Sequence, residues 1–228
     1  MNYLKYIDII IPTSDTNSGL FKNCFKLVNK TTKQFNTYIS TCNANEGFSK
    51  AINKAIKMVN SEYICLLNDD TEPKKDWLLY LINKMEEDEK IGICGSKLLY
   101  PDGLIQCAGV RHQENNWPCL IGNKQKDSPE YNISKEVESL TFASVVLRKE
   151  MIDKIGGLDE QYLYYFEDTD YCLQAKQADW KIFYEPKSIV YHLEGETISN
   201  RLDKRQIYLQ SEKIFLEKWR RKSWDGQR

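Results

Sequence analysis

The first hundred residues alternate between short apolar runs and longer amphipathic segments. The apolar runs are rich in β-branched residues, which is typical of buried strands. They cover residues 7–13, 36–41, 63–67 and 91–96. The segments between them carry apolar residues three and four positions apart, which predicts helices at 19–30, 50–59 and 76–88. Strands that alternate with helices predict an α/β fold with a largely parallel sheet and right-handed crossovers.

The pattern changes in the second half of the chain. Pro101-Asp102-Gly103 predicts the turn of a hairpin over residues 98–106. A polar stretch at 111–135 predicts a long loop, and loops of this length are commonly functional. The remaining periodic segments predict strands at 137–147, 180–184 and 186–190, and helices at 148–155, 169–178 and 200–219.

The sharpest boundary lies where the apolar run 63–67 stops at Asn68-Asp69-Asp70. In open α/β sheets, ligands bind at the carboxyl ends of the strands. Oxygen ligands clustered there suit Mg²⁺ or Mn²⁺ that carries a phosphate group. The alternative interpretation is an Asx-rich turn in which Asp70 or Thr71 caps the helix that follows.

Two further groups of candidate residues lie late in the chain. Glu167, Asp168 and Asp170 lie at the start of a predicted helix. Carboxylates in that position either cap the helix dipole or provide a general base. His192 follows a β-branched strand and precedes an acidic loop, so it is either a structural side chain or a metal ligand.

Composition and charge narrow the class of protein. The formal net charge is −1, which does not indicate a nucleic-acid partner, and none is expected. No apolar run approaches the roughly 20 residues of a membrane span, and the apolar N-terminal run is better interpreted as a first strand than as a signal peptide. The seven Cys, without a Cys-x-x-Cys pair, predict reduced and mostly buried thiols in a cytoplasmic protein that has no zinc site.

The C-terminal end is basic and aromatic over residues 218–224, Lys-Trp-Arg-Arg-Lys-Ser-Trp. Such a segment is either a solvated helix end or a peripheral contact with a membrane surface. The cytoplasmic location therefore includes peripheral attachment to a membrane as an alternative.

Four blocks, in this order, resemble the inverting family 2 glycosyltransferases with a GT-A fold. They are residues 45–53 (Asn-Glu-Gly-Phe-Ser-Lys-Ala-Ile-Asn), 68–73 (Asn-Asp-Asp-Thr-Glu-Pro), 101–110 (Pro-Asp-Gly-Leu-Ile-Gln-Cys-Ala-Gly-Val) and 156–173, which contains Gly-Gly-Leu-Asp-Glu and Glu-Asp-Thr-Asp-Tyr-Cys-Leu. The second block resembles the D-x-D motif of the family, and the third is similar to a hairpin of rhamnosyltransferase-like members. The resemblance covers about residues 7–197.

This resemblance implies a single GT-A domain, a Rossmann-like nucleotide-diphospho-sugar transferase, with a mostly parallel central sheet flanked by helices. The domain would span 1–198, with a nucleotide-binding half at 1–96 and an acceptor and catalytic half at 97–198. A charged helix and basic tail would follow at 199–228. The implied reaction moves one sugar from a UDP-sugar or dTDP-sugar to a hydroxyl of a glycan or lipid-linked acceptor.

The resemblance also implies roles for single residues. Asp70 and His192 would hold Mn²⁺ or Mg²⁺, Asp168 would be the catalytic base, and Glu167 would position the acceptor or support Asp168. The residues implied to contact the donor nucleotide are Pro12, Thr13, Asp15, Asn43, Asn45, Gly47, Phe48, Asn53, Asn68 and Asp69. The Asp-rich segment that follows the second strand in the family is missing here, so Asn43 or Asp15 would take its place at the base.

Two alternatives to an independent glycosyltransferase stay open. One is a catalytically silent sugar-nucleotide binder, or the donor half of a larger glycan synthase. The other is a Mg²⁺-dependent nucleotidyltransferase or phosphoryl-transfer enzyme, which would not use Asp168 as a base. The Gln-x-x-Arg-Trp block of processive synthases is absent from the sequence, which favours transfer of a single sugar.

Overall fold

Strands and helices alternate along the first half of the chain, as the pattern of apolar residues predicts. The computed structural model describes residues 6–114, 116–193 and 203–219, without the side chains of Ser40 and Cys42. Its strands are β1 (Tyr6–Thr13), β2 (Asn36–Asn43), β3 (Tyr63–Leu67), β4 (Thr71–Pro73), β5 (Ile91–Leu99), β6 (Ile105–Cys107), β7 (Val110–His112), β8 (Pro118–Leu120), β9 (Lys135–Glu136), β10 (Ser144–Arg148) and β11 (Lys181–His192).

The helices begin where the amphipathic patterns begin, with shifts of a few residues. They are α1 (Gly19–Thr31), α2 (Phe48–Ile56), α3 (Trp77–Glu87), α4 (Lys149–Ile155), α5 (Glu167–Gln177) and α6 (Lys204–Trp219), with short 3₁₀ turns at Ala44–Glu46 and Pro129–Tyr131. Among the described residues, no helix is both long and apolar enough to cross a membrane.

One mixed sheet organises the molecule. Its strand order is β2-β1-β3-β10-β5-β11-β4, with β6 beside β5 and β9 beside β11. The strands β2, β1 and β3 run parallel to one another, as do β5 and β11. Strand β10 lies antiparallel between β3 and β5. The sheet is therefore mostly parallel, as predicted, with an antiparallel strand at its centre.

Helices cover both faces of this sheet and bury them. Successive residues of β3 alternate between the two layers: Ile64 and Leu66 pack in the layer that contains α2, α4 and α5, whereas Tyr63, Cys65 and Leu67 pack in the layer that contains α1 and α3. A strand that is buried on both faces reads as a continuous apolar run, which is why 63–67 was recognisable as a strand.

The segment after the Asn68-Asp69-Asp70 turn differs from the prediction. Thr71–Pro73 forms β4, which pairs antiparallel with the end of β11. Helix α3 begins only at Trp77, after Asp76 with φ 62°, and no side chain caps it. The expectation that Asp70 or Thr71 caps this helix is therefore wrong. This stretch forms an edge strand instead, because β4 makes backbone hydrogen bonds with the end of β11.

Two other predicted strand boundaries are also corrected. Of the predicted strand 137–147, only residues 144–147 lie in β10, which continues to Arg148. The two strands predicted at 180–184 and 186–190 form one strand, β11, whose pairing with β5 shifts between Glu185 and Ile189. Pro186 lies at that irregularity, where a ladder hydrogen bond is not required of its nitrogen.

The thiols agree with the prediction within the described side chains. Cys24, Cys65, Cys94, Cys107 and Cys172 are free and buried. Cys119 is free and partly exposed. Burial raises the pKa of the Cys24 thiol to about 11, so that this group is a small hydrophobe at neutral pH rather than a nucleophile.

Candidate active site

The turn that follows β3 presents three polar side chains at the carboxyl edge of the sheet. Its backbone is held on both sides, because the Asn68 N–H donates to the Ala143 carbonyl at 2.9 Å and the Thr71 hydroxyl donates to the Asn68 carbonyl at 2.6 Å. Asp69 and Asp70 are both buried. Buried carboxylates in a rigid turn are costly unless they have partners.

Asp70 finds its partner in His192, 122 positions further along the chain. The imidazole Nε2 of His192 lies 3.1 Å from Asp70 Oδ1 and 3.4 Å from Asn68 Nδ2. The pairing of β4 with β11 sets this contact, since Thr71 is opposite His192 in the ladder and the Leu193 N–H donates to the Asp70 carbonyl at 3.0 Å. The structure therefore brings these two predicted residues together.

The other ring nitrogen of His192 is held by a residue that the sequence analysis missed. Gln106 Oε1 lies 2.7 Å from His192 Nδ1, and Gln106 Nε2 donates to the His192 carbonyl at 3.4 Å. The carboxamide accepts the Nδ1–H and thereby directs Nε2 toward Asp70. The available signal was the position of Gln106 in the third sequence block.

The donor atoms of this pair fit a divalent cation. A carboxylate oxygen, an imidazole nitrogen and a neighbouring amide are ligands that Mn²⁺ accepts. Within the part of the chain that the structure describes, no three His, Cys, Asp or Glu side chains are arranged to hold a metal ion. Mg²⁺-type ions in phosphate-handling sites commonly use one or two carboxylates and take their other ligands from substrate phosphates and water. The pair Asp70 and His192 meets that requirement.

Asp69 points to a different partner, at the end of β1. Burial raises the pKa of Asp69, and a hydrogen bond from the Thr13 side chain counteracts this rise. The two residues meet because β1 and β3 are parallel neighbours. Thr13 thus supports Asp69 in the edge of the cavity.

Asp168 lies in the first turn of α5, and its carboxylate accepts several hydrogen bonds. Its Oδ1 accepts from the Thr169 N–H at 2.6 Å and from the Thr169 hydroxyl at 3.3 Å. A further backbone hydrogen bond comes from Phe142. Burial raises the pKa of Asp168, and these hydrogen bonds counteract the rise by favouring the charged form.

Glu167 has the opposite surroundings. Its Oε2 is buried without a hydrogen-bond partner among the described residues. Burial and, secondarily, the charge of Asp168 raise the pKa of Glu167 to about 8. The neighbouring carboxyls thus differ in their surroundings: Glu167, without a donor to Oε2, favours its protonated form at neutral pH, whereas the hydrogen bonds to Asp168 favour its charged form.

One short segment joins the two halves of this site. Phe142 donates its hydrogen bond to Asp168, and the next residue, Ala143, accepts from Asn68. Both carboxylate groups therefore face one cavity of about 520 Å³. The residues that line it are Pro12, Ala44, Phe48, Asn68, Asp69, Asp70, Val110, Trp117, Pro118, Leu120, Thr141, Phe142, Ala143, Tyr164, Tyr165, Phe166, Glu167, Asp168, Thr169, His192, Lys204 and Tyr208.

The other residues implied to contact the nucleotide have varied positions. Pro12 and Phe48 line the cavity. Asn43 accepts from the Asn45 N–H at 3.0 Å, which starts the 3₁₀ turn. Asp15 is exposed and accepts from the Asn17 N–H. These two side chains lie outside the cavity lining, so the structure gives no contact by which either would replace the missing Asp-rich segment.

Gly47 and Asn53 prove to have packing roles. A Cβ on Gly47, which has φ 98°, would lie 2.6 Å from Leu163 Cδ1. The Asn53 carboxamide donates to the Leu158 carbonyl at 2.8 Å and to Glu160, and accepts from the Leu158 N–H at 2.9 Å. The Asn53 side chain therefore links the first sequence block to the fourth, and its contact with the nucleotide stays a prediction.

Asp170 is also reassigned. It is fully buried and binds the end of α6, because it accepts from Lys218 Nζ at 2.9 Å and from Trp219 Nε1 at 2.7 Å. Gln174 Nε2 donates to it at 2.6 Å. Lys218 and Trp219 thus face the protein interior, while residues 220–224 of the basic tail lie outside the described residues.

Comparisons with known proteins identify related sequences and a related fold. A protein named Uncharacterized protein y4gI, from Sinorhizobium fredii (strain NBRC 101917 / NGR234), is 30% identical over 158 residues, which are 65% of this chain and 17% of that protein. The O-antigen biosynthesis protein RfbC of Myxococcus xanthus is 29% identical over 161 residues, which are 66% of this chain and 12% of that protein. The chain thus spans less than a fifth of either relative.

Among solved structures, GalNAc-T7 with UDP, GalNAc and Mn²⁺ superposes with a TM-score of 0.68 at 11% sequence identity. This likeness covers 95% of the present chain and 50% of that chain, and it supports the mixed α/β GT-A fold. The family model described as Glycosyl transferase family 2 matches residues 27–156, more than half of the sequence. The chain therefore belongs to glycosyltransferase family 2.

Proposed function

We propose that this chain is a metal-dependent inverting glycosyltransferase that moves one sugar from a nucleoside-diphosphate sugar to an acceptor hydroxyl. The observation that carries the proposal is that Asp168 and the Asp70–His192 pair face one cavity and are joined through Phe142 and Ala143. Membership of the family, and the UDP and Mn²⁺ found with GalNAc-T7, support the substrate class.

Asp168 is the proposed general base. It accepts the proton of the acceptor hydroxyl while that oxygen forms a bond to the anomeric carbon and the bond from this carbon to the diphosphate oxygen breaks. Attack from the side opposite the diphosphate inverts the configuration. Such a positioned base contributes typically about 10²–10⁴-fold in rate. The hydrogen bonds to Asp168 keep it ionised for this step.

Asp70 and His192 are the proposed cation ligands, and Asn68 and Asp69 support them. A divalent cation bound there supplies positive charge that offsets the charge of the leaving diphosphate. Gln106 holds His192 Nδ1 and thereby leaves Nε2 as the nitrogen that would bind the cation. Glu167, protonated at neutral pH, donates a hydrogen bond to an acceptor oxygen or to Asp168.

The proposal also covers the chemical classes of the donor and the acceptor. We assign the donor to the UDP- or dTDP-sugars and the acceptor to a glycan or lipid-linked sugar. The third sequence block favours a deoxysugar such as rhamnose. The O-antigen function named for the Myxococcus xanthus relative is compatible with a glycan acceptor. We also retain the proposal of a cytoplasmic protein with peripheral membrane contact through the basic tail, residues 218–224.

The test is a panel of UDP-, dTDP- and GDP-sugars with Mn²⁺, in which release of nucleoside diphosphate is measured with and without acceptor glycosides. Asp168→Asn should lower transfer by about 10²–10⁴-fold without weakening donor binding. Asp179→Asn is a matched control, because Asp179 is exposed and has φ 60°, a conformation that Asn adopts equally well. Full activity of Asp168→Asn would refute the base assignment.

A second candidate is a donor-binding domain that works only with another part of a longer protein. It is favoured by the small share of each relative that the chain spans, 17% and 12%. The same panel separates the candidates. Metal-dependent binding of a nucleotide sugar with no release of product would support the second candidate and contradict an independent enzyme.

A further inference from the structure

Helix α6 reaches the active-site cavity, although it lies beyond the stretch that matches the family model. Lys204 and Tyr208, from its first two turns, line the same cavity as Asp168. Its last turn is anchored to α5 through the buried Asp170 carboxylate. The first turns of α6 therefore lie at the cavity, and its last turn is attached to α5.

The side chains of α6 hold the backbone that presents Glu167 and Asp168. Tyr165 and Phe166 have φ 69° and 68°, a left-handed conformation that is unusual for large side chains and requires support from neighbours. Phe215 stacks on Phe166 with ring centroids 5.0 Å apart. The Ser211 hydroxyl donates to the Tyr164 carbonyl at 2.6 Å.

Two more aromatic rings flank Phe166 at the cavity wall. Trp117 meets Phe166 edge-on at 5.4 Å, and Tyr208 lies 5.6 Å from Phe166 and 5.4 Å from Tyr165. Trp117 and Tyr208 both keep part of their surface exposed and both line the cavity. Each ring therefore packs on the buried Phe166 and at the same time forms part of the cavity surface.

The chemistry of this wall differs from that of the β3 turn, which lines the same cavity. The edge formed by the β3 turn carries Asp69, Asp70 and His192, which suit a cation and a diphosphate. The wall formed by Trp117 and Tyr208 is aromatic, with an indole N–H and a phenol as polar groups. Partly exposed aromatic rings with one polar atom bind ligands that have both an apolar face and hydroxyls. A pyranose ring has this character, because its axial C–H bonds form an apolar face.

We propose that Trp117 and Tyr208 form a subsite for a pyranose ring of the acceptor, and that α6 is thereby part of the active site. The inference rests on the proposed glycosyltransferase function. An acceptor ring placed against this wall brings a hydroxyl toward Asp168, because Phe166, which both rings contact, is two residues before Asp168. The donor then occupies the side of the cavity that carries Asp70.

The test uses saturation-transfer NMR with four named probes: methyl α-rhamnoside, methyl α-mannoside, methyl β-galactoside and methyl β-N-acetylglucosaminide, each with UDP and Mn²⁺. At least one glycoside should show saturation of its ring C–H protons. Trp117→Leu and Tyr208→Leu should each weaken its affinity about tenfold, which corresponds to about 1.4 kcal/mol. Trp117→Phe and Tyr208→Phe, which keep an aromatic face, should retain most of the affinity.

Tyr38→Leu serves as the control, because Tyr38 is an exposed tyrosine of β2 that stacks on Tyr6 away from the cavity. Absence of ring saturation for all four glycosides, or equal affinity in the Leu variants, would overturn the subsite. Failure of the proposed function has a different signature. In that case no nucleotide sugar is turned over, while the glycoside signal and its dependence on Trp117 persist.

Discussion

The two walls of the cavity are built by different means. The wall at the β3 turn is fixed by the sheet: Asn68 bonds to Ala143, and the β4–β11 ladder places His192 against Asp70. The wall at residues 164–168, which carries the proposed base, is fixed by side chains, through the aromatic contacts of Phe166 and the ion pair of Asp170 with Lys218. The first wall is therefore set by strand register, whereas the second depends on the docking of α6.

The largest expected effect is at the wall that the sheet fixes. Asp70→Ala should abolish metal-dependent binding of UDP, because it removes the only carboxylate of the proposed cation pair. Isothermal titration with Mn²⁺ and UDP measures this directly. The free energy of unfolding should change little, since the turn keeps its backbone hydrogen bonds. Unchanged UDP binding in the presence of Mn²⁺ would refute the metal role of Asp70.

A large effect is also expected where side chains fix the other wall. Asp170→Asn keeps the size of the side chain but removes the buried one of the two carboxylates that pair with Lys218, the other being Asp159. It also weakens the hydrogen bond from Trp219 Nε1, so the free energy of unfolding should fall by about 2 kcal/mol. Urea unfolding should show this loss, with Asp179→Asn as the control. Affinity for UDP and Mn²⁺ should be retained in the folded variant, since the β3 turn is independent of α6. A loss of affinity for UDP and Mn²⁺ in the folded variant would contradict the division into two walls.

The sequence predicted the first wall well and the second poorly, for a physical reason. The strand 63–67, its acidic turn and the hairpin at 101–103 are local patterns whose geometry follows from nearby residues. His192 was identified through the family resemblance, and its contact with Asp70 needed the register of β11. Gln106, Trp117 and Tyr208 were missed, because their roles arise only when distant segments meet. In the sequence, Asp170 resembled part of a catalytic cluster, whereas in the structure it binds the end of α6. No local sequence pattern distinguishes a buried acid that binds another helix from an exposed one.

A smaller effect should follow from loosening His192 without touching a proposed ligand. Gln106→Met keeps the volume of the side chain and removes the acceptor for the His192 Nδ1–H. Partners of this kind typically contribute about 10–100-fold to metal affinity. Mn²⁺ binding followed by electron paramagnetic resonance should weaken within that range. Gln125→Met, in a loop residue that bonds to Tyr131, provides a matched control; equal affinity in both variants would show that Gln106 does not orient the ring.

The smallest effect concerns the protonation of Glu167, which belongs to the wall held by α6. Its pKa is raised from an ordinary value near 4.5 to about 8, so its folded form binds a proton that the unfolded chain releases. The stability that this proton contributes is complete below pH 4.5 and is lost as the pH rises through about 8.

The side chain of the Glu167→Gln variant cannot ionise. At pH 9 the free energy of unfolding of this variant should therefore exceed that of the parent chain by more than about 1 kcal/mol. At pH 4 the two free energies should be nearly equal. Thermal unfolding at both pH values measures the difference, with Glu160→Gln, another glutamate of the fourth block, for comparison. A constant difference across this range would mean that Glu167 is ionised in the folded protein. The proton on Glu167, and with it the proposed hydrogen bond to acceptor or Asp168, would then be ruled out.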